Sequence, residues 1–321
     1  MEIFMLILTV IGALACLTVK GFCGKKLSGY VKSGRDPYFF NFLRLVFCIV
    51  IGIAIVFMEG AAGQLAVEFK MLAISFLSGI SNAAFLVCWM LAVRRNSLVS
   101  VDVGLTLGSL IPSILCLILF GEEFSIPKMI GFLCIVIATV ILSGGEEEKK
   151  KSGALGLILL FLAAVGDGMS GFAQQLYKHF YTEGGARVGE VVYSKSVFHF
   201  YTYVFAAAAL LIALIVYYIV SRRSGAKSGE AAPVRIIPNA PPIAFLHISV
   251  MAITLFLANY LQTVATNDLG LSSQILYPII KGGCLVTVTV IAMLFFGEKI
   301  TKRSILGSLV AILGIVIMSV L

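Results

Sequence analysis

One phrase occurs twice in the chain. "FGEEFSIPKMIG" runs from Phe120 to Gly131, and "FGEKITKRSILG" runs from Phe296 to Gly307. In each copy an apolar run ends at a phenylalanine, glycine and glutamate break the run, and a second apolar run follows. Ten residues after the first glycine stands another, Gly131 or Gly307, and twelve further on stands a serine, Ser143 or Ser319. Matched spacing on both sides of a break is the mark of an internal repeat rather than of a recurring loop.

Outward from these copies the correspondence continues. "RLVF" at Arg44 to Phe47 echoes "KSVF" at Lys195 to Phe198, and Asn82 has a counterpart in Asn259. The offset is 151 residues early and about 176 late, so the extra length falls between Phe198 and Asn259. The halves are residues 1–145 and 153–321, joined by a charged connector at 146–152, with a long polar loop at 221–242 inside the second half.

Composition sets the medium. Of 321 residues, 60% are hydrophobic and 12% charged, and the mean hydropathy is +1.05. Soluble domains carry about 25% charged residues. Apolar runs long enough to span a bilayer occur ten times, with cores near 3–19, 39–58, 71–93, 98–120, 126–143, 154–177, 191–220, 243–265, 272–296 and 305–321. The opening "MEIFMLILTV" has no basic leader or small-residue cleavage site and is expected to be the first span. Five spans per half is an odd number, so the second half enters the membrane from the opposite side. The expectation is an all-α integral membrane protein of ten transmembrane helices, arranged as two inverted five-helix repeats.

The net charge of +8 does not point to nucleic acid. Of the 24 lysines and arginines, 17 fall in connections after odd-numbered spans, five in connections after even-numbered spans or at the start of the seventh, and Arg44 and Lys281 lie within spans. By the positive-inside rule both termini are expected outside. The seven cysteines are scattered through apolar runs without a CxxC pair, so they read as small packing residues rather than as disulfides or a metal site. No cofactor or metal is expected.

Candidate site residues follow from polar groups in apolar runs, since a charge at the bilayer centre costs about 3 kcal/mol or more. Helical spacing groups Ser75, Ser78, Asn82 and Trp89 on the third span, and Asp102, Thr106, Ser109 and Ser113 on the fourth. It groups Asp167, Ser170, Gln174 and Lys178 on the sixth, Lys195, His199 and Tyr203 on the seventh, Asn259, Gln262 and Thr266 on the eighth, and Gln274, Tyr277 and Lys281 on the ninth. Hydrocarbon cannot satisfy such groups, so the stripes should face a shared cavity. The expected substrate-binding set is Lys281, Tyr277, Asn82, Trp89, Asn259, Gln262, His199 and Asp167. Arg44 and Asp102, at the same end of their helices, are expected as a structural charge pair. Lys281 and Asp167 lie nearest mid-depth. They either pair with each other, or Lys281 binds a substrate anion while Asp167 binds an amine or carries a coupling proton. His199 fits packing or ligand contact equally well.

Ten spans in two halves, each ending in a "GE" loop and a glycine-bearing last helix, resemble the drug/metabolite transporter superfamily, EamA-like branch. Arg44 and Tyr277-Pro278, the latter nineteen residues before the second "GE", also fit that pattern. The first half departs from it, with Asp102 at the position matching Pro278 and its proline later, at Pro112. The resemblance implies alternating-access transport of a small metabolite across the cell membrane, with lipid, substrate and a coupling proton or counter-substrate as partners. It would place the termini inside, whereas the charge count places them outside. The polar set leans positive, which favours an anionic or zwitterionic cargo. Competing classes are an intramembrane enzyme and a channel or scaffold. No HExxH or GxSxG motif occurs, and only three histidines are present, at His179, His199 and His247.

Overall fold

The computed structural model describes residues 2–108, 110–120, 126–143, 146–181, 191–228, 237–269, 273–297 and 302–320. Among them there is no strand. The helices are α1 (Glu2–Ser28), α2 (Asp36–Met58), α3 (Phe69–Arg95), α4 (Leu98–Gly108), α5 (Leu110–Phe120), α6 (Ile126–Ser143), α7 (Glu146–Tyr181), α8 (Lys195–Ser228), α9 (Pro242–Asn267), α10 (Ser273–Phe296) and α11 (Lys302–Val320), with a short 3₁₀ turn at Ala61–Leu65. Among the described residues seven helical stretches, in α1, α2, α3, α7, α8, α9 and α10, are long and apolar enough to cross a bilayer. They fit a multi-pass membrane protein. Helices α2 and α9, at 23 and 26 residues, reach about 35 to 39 Å, enough for a hydrocarbon core of about 30 Å.

The chain folds this way for local reasons. Large apolar side chains such as Phe57, Phe76, Leu119, Phe161 and Leu294 point outward and are more than half exposed, the arrangement expected where lipid replaces water. Asp36 accepts hydrogen bonds from the backbone N–H groups of Lys32 and Ser33, each at 2.8 Å, and Pro37 follows where a helix needs no donor. The glycine of the second "FGE" phrase has a structural reason. Gly297 ends α10 with φ at 60°, a left-handed conformation that favours glycine and stops a helix. Its partners Glu122 and Glu298, and Gly121, lie outside the described residues.

The expected span over 98–120 is helical on both sides of residue 109, which lies outside the described residues, as α4 and α5. Pro112 has no N–H to donate to the carbonyl of Gly108 four residues back, which removes one rung of a continuous helix there.

Packing runs mostly between residues 2–143 and residues 146–320. Helix α1 lies against α9 and α10, α2 against α8 and α9, α3 against α7 and α8, α4 against α7 and α10, and α6 against α11. Tight glycine seams surround α7. A Cβ on Gly166 would lie 2.8 Å from the backbone nitrogen of Phe85 and 2.9 Å from the carbonyl oxygen of Ser81 on α3, while Gly168 and Gly108 bring α7 against α4 with no room for a side chain. Small residues at such crossings let backbones touch, the usual device of membrane helices. Gly166→Val should therefore cost about 1–3 kcal/mol by overpacking. Gly63→Val, facing open space, should stay within about 0.5 kcal/mol of wild type. Thermal unfolding in detergent would compare them, and equal melting of the two variants would show that the α3–α7 seam is not tight.

Candidate functional site

The glycines that bring α7 against α3 and α4 flank a single acid, Asp167. It sits at the midpoint of the apolar stretch Ala154–Tyr181, and Asn82 sits at the midpoint of α3. Between them lies a cavity of about 600 Å³ including its opening, lined by Leu17 and Lys20 of α1, Asn82 and Phe85 of α3, Pro112 of α5, Asp167, Gly168, Ser170, Gly171 and Gln174 of α7, Leu255, Asn259 and Gln262 of α9, and Lys281 of α10.

Lys281 and Asp167 form an ion pair across this cavity, Nζ to Oδ2 at 2.5 Å, with each side chain about one-fifth exposed. Of the two arrangements open in the sequence, the pair is the one present. Asn82, Asn259 and Gln262 line the same space, as their stripes required. The amide of Asn259 donates to the Tyr203 hydroxyl at 2.9 Å, and that of Gln262 donates to the carbonyl of Ala258 at 3.0 Å.

Lys20 is the lining residue that sequence reading missed. It falls one position past the first apolar core and was counted with the loop, but α1 continues to Ser28 and carries it into the wall. Its ammonium stands over the rings of Phe85 and Trp89, at 5.3 and 5.9 Å from their centroids. Gly24, one turn further along the same face of α1, makes room for the Trp89 indole. Trp89 is thus buried beneath Lys20 and is not itself a lining residue.

Other expected residues lie elsewhere. His199 is buried off the cavity, its Nε2 3.0 Å from the Thr263 hydroxyl, among the rings of Phe198, Tyr203, Phe256 and Tyr260. Packing, not ligand contact, is its position here. Arg44 and Asp102 do not pair. Among the described residues Arg44 donates only to Asn41, at 3.4 Å, and its Nε and Nη2 have no acceptor. Asp102 instead interacts electrostatically with Lys281, Lys20 and Asp167. Equal depth on two helices did not make them neighbours, because they face different partners around the bundle. The side chain of Tyr277 lies outside those described. Among the described residues no three His, Cys, Asp or Glu side chains converge so as to hold a metal ion.

A second polar cluster closes one end of the bundle, where α2, α7 and α9 end and α3 and α8 begin. Glu59 accepts hydrogen bonds from Ser194 at 2.5 Å, Ser196 at 2.7 Å and Tyr260. Gln64 accepts from the Ser194 backbone at 2.6 Å, Lys195 pairs with Asp268 at 2.7 Å, and Tyr181 donates to Glu68. Partial burial alone would raise the Glu59 carboxyl, but the bonds from Ser194, Tyr260 and Ser196 and the nearby Lys195 charge outweigh it and hold it below its ordinary value.

No family model matches the chain, and no curated protein matches it. Among solved structures it aligns with one described only as "Crystal structure of protein", at 14% identity over 97% of this chain and 96% of that chain, with a TM-score of 0.65. At that identity the likeness establishes the fold alone.

The ion pair has a direct test. Lys281→Met strands the Asp167 carboxylate in a largely water-poor wall and should lower stability by up to about 3 kcal/mol. Adding Asp167→Asn should restore most of the loss. Unchanged melting of the single variant, or no recovery in the double variant, would contradict a stabilising pair.

Proposed function

We propose that the chain is a secondary transporter of a small anionic or zwitterionic metabolite, working by alternating access between two inverted five-helix repeats with ten spans. The observation that carries this reading is the polar cavity at mid-depth, walled by helices from both halves and holding a charge pair that lipid could not accommodate. The repeat reading is supported by the helix contacts. Exchanging α1 with α7, α2 with α8, α3 with α9, α4 and α5 with α10, and α6 with α11 turns the α1–α9 contact into α7–α3. The same exchange turns α2–α9 into α8–α3 and α1–α10 into α7–α4 and α7–α5, and maps α2–α8, α4–α10 and α6–α11 onto themselves. The fold and the repeated "FGE" phrase agree with the resemblance to drug/metabolite transporters, and the proposal adopts that class.

In this reading the Glu59 cluster is a closed gate, since it ties the first half to the second at one end of the cavity. The Asp167–Lys281 pair is where a proton or a substrate amine exchanges for the lysine ammonium. Protein reconstituted in liposomes should show flux that saturates with substrate and accelerates in counterflow. Flux linear in concentration without counterflow would indicate a channel, and no flux of any metabolite would remove the carrier reading.

The proposed orientation, both termini outside, rests on the charge split. With Lys20 in the cavity wall, 16 basic residues rather than 17 remain at the helix ends and connections after odd-numbered spans, which leaves the bias intact. A reporter fused after Leu321 should be active only when it reads the outer side. Activity confined to the cytoplasm would reverse the orientation without touching the fold.

A further inference from the structure

Charges around the cavity do not balance. Lys20, Lys281 and Asp167 line it, and Arg44 and Asp102 are their electrostatic neighbours outside the lining, so three cations stand against two carboxylates and one net positive charge is left. The imbalance is localised. Lys281 is satisfied by Asp167 at 2.5 Å. Among the described residues Lys20 has neither a hydrogen bond nor a carboxylate within ion-pair distance. Its contacts are the faces of Phe85 and Trp89, which attract a cation weakly and cancel no charge.

Arg44 deepens the imbalance. Its side chain is fully buried, and a guanidinium stays charged at any physiological pH. One nitrogen reaches Asn41 at 3.4 Å, while Nε and Nη2 have no acceptor. Its electrostatic neighbours Cys48 and Tyr203 are not carboxylates, and its further neighbour is Lys20 itself, a like charge. Asp102 and Asp167 act on Lys20 only from beyond ion-pair distance, so two cations held in a low-dielectric wall, neither with a carboxylate in contact among the described residues, repel each other. A membrane protein keeps such a pair when an anion completes it.

We propose that Lys20 is the contact residue of an anion seat, backed by the uncompensated guanidinium of Arg44, and that the seat takes the carboxylate of a monoanionic substrate. One carboxylate cancels the one surplus charge, whereas a phosphate dianion would overshoot it. Phe85, beside Lys20 in the lining, offers an apolar face to the body of the ligand. Lys281 is not the seat, because an anion there would have to displace Asp167. This inference rests on the transporter reading for its biological sense, but its test does not need transport.

The test is thermal unfolding of the full chain in detergent, in constant chloride, with sodium benzoate, benzyl alcohol or benzylamine added. Benzoate should raise the melting temperature saturably, and the other two should not. Lys20→Met should weaken the benzoate effect about ten- to a hundredfold in apparent affinity, as expected for loss of one charge-assisted contact. It should also melt no lower than wild type without ligand, because it relieves repulsion with Arg44. A purely structural lysine on Phe85 and Trp89 gives the reverse, lower melting without ligand and an unchanged benzoate effect. That outcome would overturn the proposal, as would equal stabilisation by benzyl alcohol or none by benzoate. Arg44→Gln supplies a second readout, since a folded variant should also bind benzoate more weakly. Liposome flux is scored separately: benzoate stabilisation lost in Lys20→Met but with no flux keeps the seat and removes the carrier, and saturable flux with no benzoate effect does the opposite.

Discussion

The whole site depends on how closely α7 approaches its neighbours. Gly166 and Gly168 let α7 run backbone to backbone with α3 on one side and α4 on the other, and Asp167 lies between them. A side chain at either glycine would push the helices apart. The carboxylate would then stand off from Lys281 and from the wall that holds Asn82. Close helix contact through small residues is worth little per atom, but in lipid no hydrophobic driving force competes with it. A few missing Cβ atoms therefore decide where the cavity is.

Once the cavity exists, electrostatics sorts its residues. Charged groups that meet a partner, as Lys281 meets Asp167, cost the fold little. Groups that do not, as with Lys20 and Arg44, leave a standing field. Aromatic faces and one amide soften that field without cancelling it. The same logic explains why His199 sits away from the cavity. An imidazole hydrogen-bonded to Thr263 packs among rings and takes no part in the cavity wall.

The two ends of the bundle are held differently. At one end Glu59 binds Ser194 and Ser196 at the start of α8 and Tyr260 near the end of α9, so both halves are tied through one carboxylate. At the other end Lys25 of α1 donates to the carbonyls of Val93 and Asn96 at 3.0 and 3.1 Å, a tie within the first half. Links from there to the second half among the described residues include a 3.5 Å contact of Asn96 to the Gly156 carbonyl and the Lys26 ammonium over the Phe296 ring. A carboxylate with three hydroxyl donors makes a charge-assisted clasp.

Much of this was legible in the sequence because hydrophobicity and turn chemistry are local. Run length gave the helical segments, the repeated "FGE" phrase marked the α10 end that Gly297 makes, and polar stripes at helical spacing picked out Asn82, Asp167, Asn259, Gln262 and Lys281 as residues of one cavity. Partnership was not legible. Arg44 and Asp102 share a depth but not an azimuth, and azimuth is fixed only when helices pack. Lys20 looked like a loop residue because hydropathy ends where charge begins, although α1 does not. The sequence by itself determined the medium, the segments and the polar faces, since each depends on a residue and its near neighbours. Only the tertiary structure decided which charges neutralise each other and which are left over, because that depends on ångström-scale distances between helices far apart in the chain.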